Sequence, residues 1–112
     1  MKIIECLKNS PVITSFEVLE LKTFKDGFFI KIKATVKDGS TLYIREYVDA
    51  EERNYSYHWQ DKRGKLIVRW DNAPHHRNLR TYPHHKHEGS KVKESFETTC
   101  EKILKAISNM LK

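Results

Sequence analysis

The sequence predicts an α+β fold: a five-stranded antiparallel meander sheet packed by a C-terminal helix and a short N-terminal helix. Three features carry that expectation. Apolar and polar residues alternate through most of residues 16–71, the period of a half-buried strand. Asp26-Gly27 and Asp38-Gly39 interrupt the alternation with the residue pairs that tight hairpin turns favour, because glycine adopts positive φ without strain. At the C-terminus the period lengthens: Cys100, Ile103, Leu104, Ile107 and Leu111 form the apolar stripe of a helix that can cover one sheet face.

Taken in order, "MKIIECLKNSPVITS" opens with a short helix whose apolar face holds Ile3, Ile4 and Leu7. Ser10 and Pro11 then suit the cap and first position of a second helical turn, with Val12 and Ile13 packing inward. "FEVLELKTF" is the first strand, with Phe16, Val18 and Glu20 on one side and Leu19 and Leu21 on the other. "FFIKIKATVK" is the second, sending Phe28, Ile30, Ile32, Ala34 and Val36 inward and its lysines outward. "TLYIREYVD", "NYSYHWQD" and "KLIVRWD" are the third to fifth, joined by "AEER" and "DKRG". Short links between consecutive strands imply antiparallel neighbours. Thr98 with Glu101 has the form of a capping box for the last helix.

Simple hairpin pairing of the last three strands puts Leu42, Ile44, Val48, Tyr55, Tyr57, Trp59, Leu66, Val68 and Trp70 on the core face. The opposite face then carries Tyr43, Arg45, Tyr47, Ser56, His58, Gln60, Arg69 and Asp71, with Ile67 as its apolar exception. Glu46 falls on the core side, where a carboxylate needs a partner.

The chain of 112 residues suits one domain, residues 1–112, and its five tyrosines, five phenylalanines and two tryptophans suit a packed core. Lys and Arg outnumber Asp and Glu by 21 to 15, a net charge of +6 that favours an anionic partner such as RNA. Two cysteines, Cys6 and Cys100, make neither a disulfide framework nor a metal knuckle and point to a reducing cytoplasm. No signal peptide and no membrane-length apolar run is legible, so no membrane partner is expected.

The stretch "RWDNAPHHRNLRTYPHHKH" holds five of the six histidines. Imidazole titrates near neutral pH, so a histidine loop beside arginines suits acid/base work on a phosphodiester. The candidate catalytic set is Arg45, His58, Arg69, Asp71, His75, His76, His84, His85 and His87. Tyr43, Tyr47, Gln60 and Lys86 are the candidate substrate contacts. No metal or other cofactor is expected, since HExxH and CxxC spacings are absent and Lys86 between His85 and His87 is unfavourable for a dication. The architectural alternative has Asp71 and Asn72 turning the chain, the prolines stiffening it, and some histidines only bonding backbone.

The strings "REYVD", "YSYHWQD..G.LI.RWDNAPHH" and "T.PHHKH" closely resemble the TumE family of toxins, in a nearly unbroken pattern from Arg45 to His87. Arg77 departs from it, standing where the family often has proline. The resemblance implies a toxin neutralised by a separately encoded antitoxin protein. The residues themselves add RNA binding and metal-independent RNA cleavage as the expected activity. A toxin that only occupies its target and a metal-dependent hydrolase built on the histidines are the alternatives.

Overall fold

The computed structural model describes all 112 residues. Helix α1 (Lys2–Asn9) precedes strands β1 (Ile13–Phe24), β2 (Gly27–Val36), β3 (Thr41–Val48), β4 (Arg53–Gln60), β5 (Leu66–Asp71), β6 (His85–Glu88) and β7 (Lys91–Glu94), and helix α2 (Cys100–Met110) closes the chain. The strands form one sheet in sequence order, every neighbouring pair antiparallel. The meander is as expected, but it has seven strands and not five. The two extra strands, "HKHE" and "KVKE", carry almost no apolar residue to mark a face.

The core forms on one side of the sheet. Ile30, Ile32, Ala34, Val36, Leu42, Ile44, Tyr55, Tyr57, Trp59, Val68 and Trp70 are buried there with Ile3, Leu7, Val12, Cys100, Ile103, Leu104 and Ile107 from the helical ends. Glu46 also lies on this side and is partnered. Arg53 Nε donates to its Oε1 at 2.8 Å, the Tyr57 hydroxyl donates to its Oε2, and Arg53 Nη1 reaches the Thr98 carbonyl at 2.7 Å. That network ties β3 and β4 to the entry of α2, and no buried side-chain nitrogen or oxygen lacks a partner. Burial, with the Glu46 carboxylate adding to it, pushes the Tyr57 phenol well above its ordinary range and keeps it a donor.

Local expectations are corrected at four places. Ser10 and Pro11 do not start a second helical turn; Ser10 closes α1 in an extended conformation and β1 begins at Ile13, although Val12 is buried as read. In β1 a register shift between Val18 and Glu20 breaks strict alternation: Val18 pairs with Ile32 and Leu21 with Ile30, so both lie on the core side of the sheet, and both stay exposed. A second shift, between Trp59 and Gln60, makes Ile67 and not Leu66 pack against the core. The cap of α2 is Thr99, whose hydroxyl accepts from Lys102 N at 3.3 Å, and not Thr98. The glycine turns hold. Gly39 sits at φ +90°, and a Cβ on Gly27 would stand 1.7 Å from the Val48 carbonyl oxygen.

Candidate functional site

The other face of the sheet is not covered by a helix, and pairing aligns its polar residues in two rows. One runs Lys31–Arg45–Ser56–Asp71–His85–Glu94 from β2 to β7; the other runs Lys33–Tyr43–His58–Arg69–His87–Val92. Directly opposed residues project to the same side, so alternation within each strand and register between strands assemble the site from separate parts of the chain. Arg69 therefore stands between His58 on β4 and His87 on β6.

Asp71 is the hub. Its carboxylate is buried, with Oδ1 2.9 Å from His85 Nε2 and 3.0 Å from the Ala73 amide, and Oδ2 3.1 Å from Arg69 Nε and 3.7 Å from His87 Nε2. Arg69 Nη1 lies 3.3 Å from His58 Nδ1 on the far side. His85 is fully buried, and its Nδ1 lies 2.9 Å from the Pro83 carbonyl oxygen, which can only accept.

The loop that follows β5 brings His76 against the strand histidines on this face. The ring centroids are 4.8 Å (His76–His85), 5.7 Å (His76–His87) and 5.0 Å (His85–His87), all edge to face. One ligating nitrogen from each lies within 4.8 Å of the other two. Several polar contacts hold the loop down. Asn72 Oδ1 accepts from Tyr55 N at 2.9 Å and its Nδ2 donates to Arg53 O at 2.6 Å, prolonging the pairing beside β4. Arg80 makes two bonds to the Glu94 carboxylate at 3.0 and 2.8 Å, and Thr81 Oγ1 bonds His84 O and Ser95 N.

Burial, then the Arg69 guanidinium, holds His58 below the ordinary imidazole range, against a hydrogen bond to Gln60 that raises it. Burial likewise lowers His87, opposed by the Asp71 carboxylate and reinforced by His85, His76 and Arg69. His58 is thus set toward the neutral form that accepts a proton, while His87 alone of the two has a carboxylate beside it that favours the protonated form. The thiols are not candidates for chemistry, since burial pushes Cys6 and Cys100 up and both lie at the helical ends of the fold.

Arg45, His58, Arg69, Asp71, His76, His85 and His87 are brought together, with Tyr43, Tyr47 and Gln60 on the same face. Three candidates are not. His75 is exposed on the loop. His84 belongs to the core side, stacked on Tyr55 at 5.8 Å with its Nδ1 2.9 Å from the Tyr55 hydroxyl. Lys86 pairs in register with Trp70 on that same side and bonds Glu88 at 3.0 Å. The step of one residue separating 84 and 86 from 85 and 87 was available in the sequence once a strand was assigned there. The reading also left out Phe29 and Phe24. The Arg45 guanidinium lies 5.2 Å from the Phe29 ring centroid, and Phe24 packs 5.8 Å from Tyr47. Two cavities of about 530 and 430 Å³ flank the arginines, sharing Arg45, Ser56 and Arg69 in their walls; Phe29 and Tyr47 line the first, Tyr43 and His58 the second.

Fold and site together define a small basic α+β protein with an open cationic sheet face and a histidine–carboxylate centre at one end of it. The chain belongs to the TumE toxin family: the family model described as Toxin TumE matches residues 3–111, nearly its whole length. Membership implies a toxin of a toxin–antitoxin system and, with it, an antitoxin partner. Comparison with curated proteins and with solved structures returned no match. No helix is long and apolar enough to cross a membrane.

Proposed function

We propose that this toxin acts on RNA, binding it along the open sheet face and cleaving it by metal-independent acid/base chemistry. The observation that carries the reading is the cross-strand row in which Arg69 stands between His58 and His87. Cleavage of an RNA strand by its own 2′-hydroxyl needs a base on one side of the phosphate, an acid on the other and cationic donors for the charge that develops between them. His58 and His87 supply the first two. His58, neutral, removes the 2′-hydroxyl proton as that oxygen bonds to phosphorus; His87, in the protonated form that the Asp71 carboxylate favours, protonates the departing 5′-oxygen as its bond to phosphorus breaks. Arg69 and Arg45 neutralise the phosphoryl oxygens. The products are a 2′,3′-cyclic phosphate and a 5′-hydroxyl.

Tyr43, Tyr47 and Phe29 line the two cavities beside the arginines, where unstacked bases have aromatic faces to meet. Single-stranded RNA fits this arrangement better than a duplex, whose bases are already stacked. Asp71 acts through its neighbours, orienting Arg69 and His85.

The test is incubation of purified protein with single-stranded RNA in EDTA, followed by analysis of the new ends. Cyclic phosphate ends from the wild type, reduced about a hundredfold or more in His58→Gln, are expected. Intact RNA that is nevertheless bound would favour a toxin that inhibits by occupying its target. Cleavage that requires a divalent ion and leaves 5′-phosphate ends would replace the acid/base reading with a metal hydrolase.

A further inference from the structure

His85 poses a problem of lone pairs. Its Nδ1 faces the Pro83 carbonyl oxygen at 2.9 Å and must carry a hydrogen to bond it. In the neutral ring, Nε2 then presents a lone pair, and it presents it 2.9 Å from Asp71 Oδ1, which is another acceptor. A cation must lie between two acceptors at that distance: a proton, which makes the ring an imidazolium paired with Asp71, or a metal ion that takes the proton's place on Nε2. A hydrogen bond from one histidine nitrogen to a backbone carbonyl is also how proteins fix a metal-ligating imidazole, holding the other nitrogen toward the ion.

The surroundings extend the argument. His76 and His87 bring their own ring nitrogens to within 4.8 Å of that of His85 and of each other. A tetrahedral zinc site holds its nitrogens about 3.4 Å apart, so a closure of about 1.4 Å would bring all three into contact with one ion. His76 is on a loop that can supply the movement, while Asp71 and His85 are fixed by burial and pairing. Arg69 occupies Asp71 Oδ2, leaving Oδ1 directed at the cluster. The objection from Lys86 does not apply, because its side chain is on the other face with Glu88. Imidazoles with one carboxylate suit zinc and its first-row neighbours and not magnesium or calcium, which take oxygen ligands.

We infer that His76, His85, His87 and Asp71 form a binding site for a first-row transition-metal ion of the zinc class, and that its occupancy silences the toxin by engaging the His87 ring. The site itself stands apart from the RNA reading. The silencing rests on it, because a nitrogen that ligates a metal cannot also move a proton.

The experiment uses the full chain, purified without a polyhistidine tag and stripped with EDTA. Zinc is titrated by calorimetry, with magnesium as the control ion and circular dichroism as the check on folding. One zinc per chain is expected, weakened at least tenfold in His76→Gln and in His87→Gln, unchanged in His75→Gln, and with no saturable uptake of magnesium. Absence of saturable zinc binding, or equal binding by wild type and the folded His76→Gln and His87→Gln variants, would overturn the site. In the RNA assay, saturating zinc should abolish cleavage and EDTA restore it. Full cleavage by zinc-loaded protein would overturn the silencing and leave the site standing. If no RNA is cleaved under any condition, the proposed activity fails, and the titration still decides the metal site.

Discussion

Asp71 and His85 meet in register across β5 and β6, Oδ1 to Nε2 at 2.9 Å, and both are almost fully buried. A carboxylate so placed does two jobs. It turns the chain after β5 by accepting the Ala73 amide, and it gathers Arg69 and two histidines around a charge they must share. The architectural reading of Asp71 therefore holds, and the same buried charge also gathers the residues of the candidate site.

Asp71→Asn separates those jobs. The amide oxygen still accepts from Ala73, but the negative charge is lost and the new NH2 group meets donors. A stability loss of about 1–3 kcal/mol is expected from urea unfolding, together with loss of toxicity in cells. Wild-type stability and toxicity would remove Asp71 from the centre of the site.

The part of this site that the sequence made legible is the part built on alternation. Strands β3 to β5 carry large apolar residues at every second position, so the faces of Tyr43, Arg45, His58 and Arg69 followed from Leu42, Ile44, Tyr57, Trp59 and Val68. Strands β6 and β7 have no such marker. They are held by backbone pairing, β6 to β5 and β7 to β6, and by charged pairs such as Lys93–Glu88 and Arg80–Glu94, which leave no hydrophobic period to read. For that reason the histidines could be counted but not divided between faces. The contact of His76 with the others depends on the path of a 13-residue loop, which local sequence does not encode.

The environment of His58 sets a pH dependence. Burial first, and the Arg69 charge second, lower its pKa, so its neutral form persists below the ordinary midpoint of about 6.5. Proton NMR should show His58 titrating below that value, and Arg69→Gln should move the midpoint back up only in part, because burial remains. A folded-state pKa below the unfolded one also means that stability from this group is present above the imidazole range and is lost as pH falls through it. An unchanged midpoint in Arg69→Gln would mean that the guanidinium does not act on His58.

Salt should report the anionic partner. Each phosphate neutralised by Arg45 or Arg69 releases counterions, so RNA affinity should fall steeply from about 50 to 200 mM salt. Arg45→Ala should weaken binding and reduce the log–log slope by about one. A flat salt dependence would point away from RNA and toward a protein or small-molecule target.

The Glu46–Arg53–Tyr57 network allows fold and activity to be separated. Arg53→Met keeps the aliphatic stem but leaves the buried Glu46 carboxylate with only the Tyr57 hydroxyl. Breaking a buried pair from one side costs about 3 kcal/mol, which urea unfolding would detect. Below the unfolding transition, RNA affinity should stay at the wild-type level, since Glu46 and Tyr57 lie on the covered face. A selective loss of RNA binding with unchanged stability would contradict that division.

Three neighbouring histidines, changed singly to glutamine, give the sharpest comparison because the fold assigns them different positions. His84 stacks on Tyr55 on the core side, so His84→Gln should cost about 1 kcal/mol of stability and leave toxicity near wild type. His85 is buried with both nitrogens engaged, by Pro83 O and by Asp71, and glutamine cannot reach both partners with the ring's geometry. His85→Gln should therefore lower stability and toxicity together. His87 is partly exposed, with its Nε2 3.7 Å from Asp71 and its ring beside Arg69 in the row. His87→Gln should retain the wild-type melting temperature within a few degrees and lose RNA cleavage about a hundredfold, because glutamine keeps size and polarity but moves no proton near neutral pH. The order matters more than any single value. Loss of cleavage in His84→Gln with full activity in His87→Gln would move the proton-transfer site to the other face of the sheet and break the row on which the proposed chemistry stands.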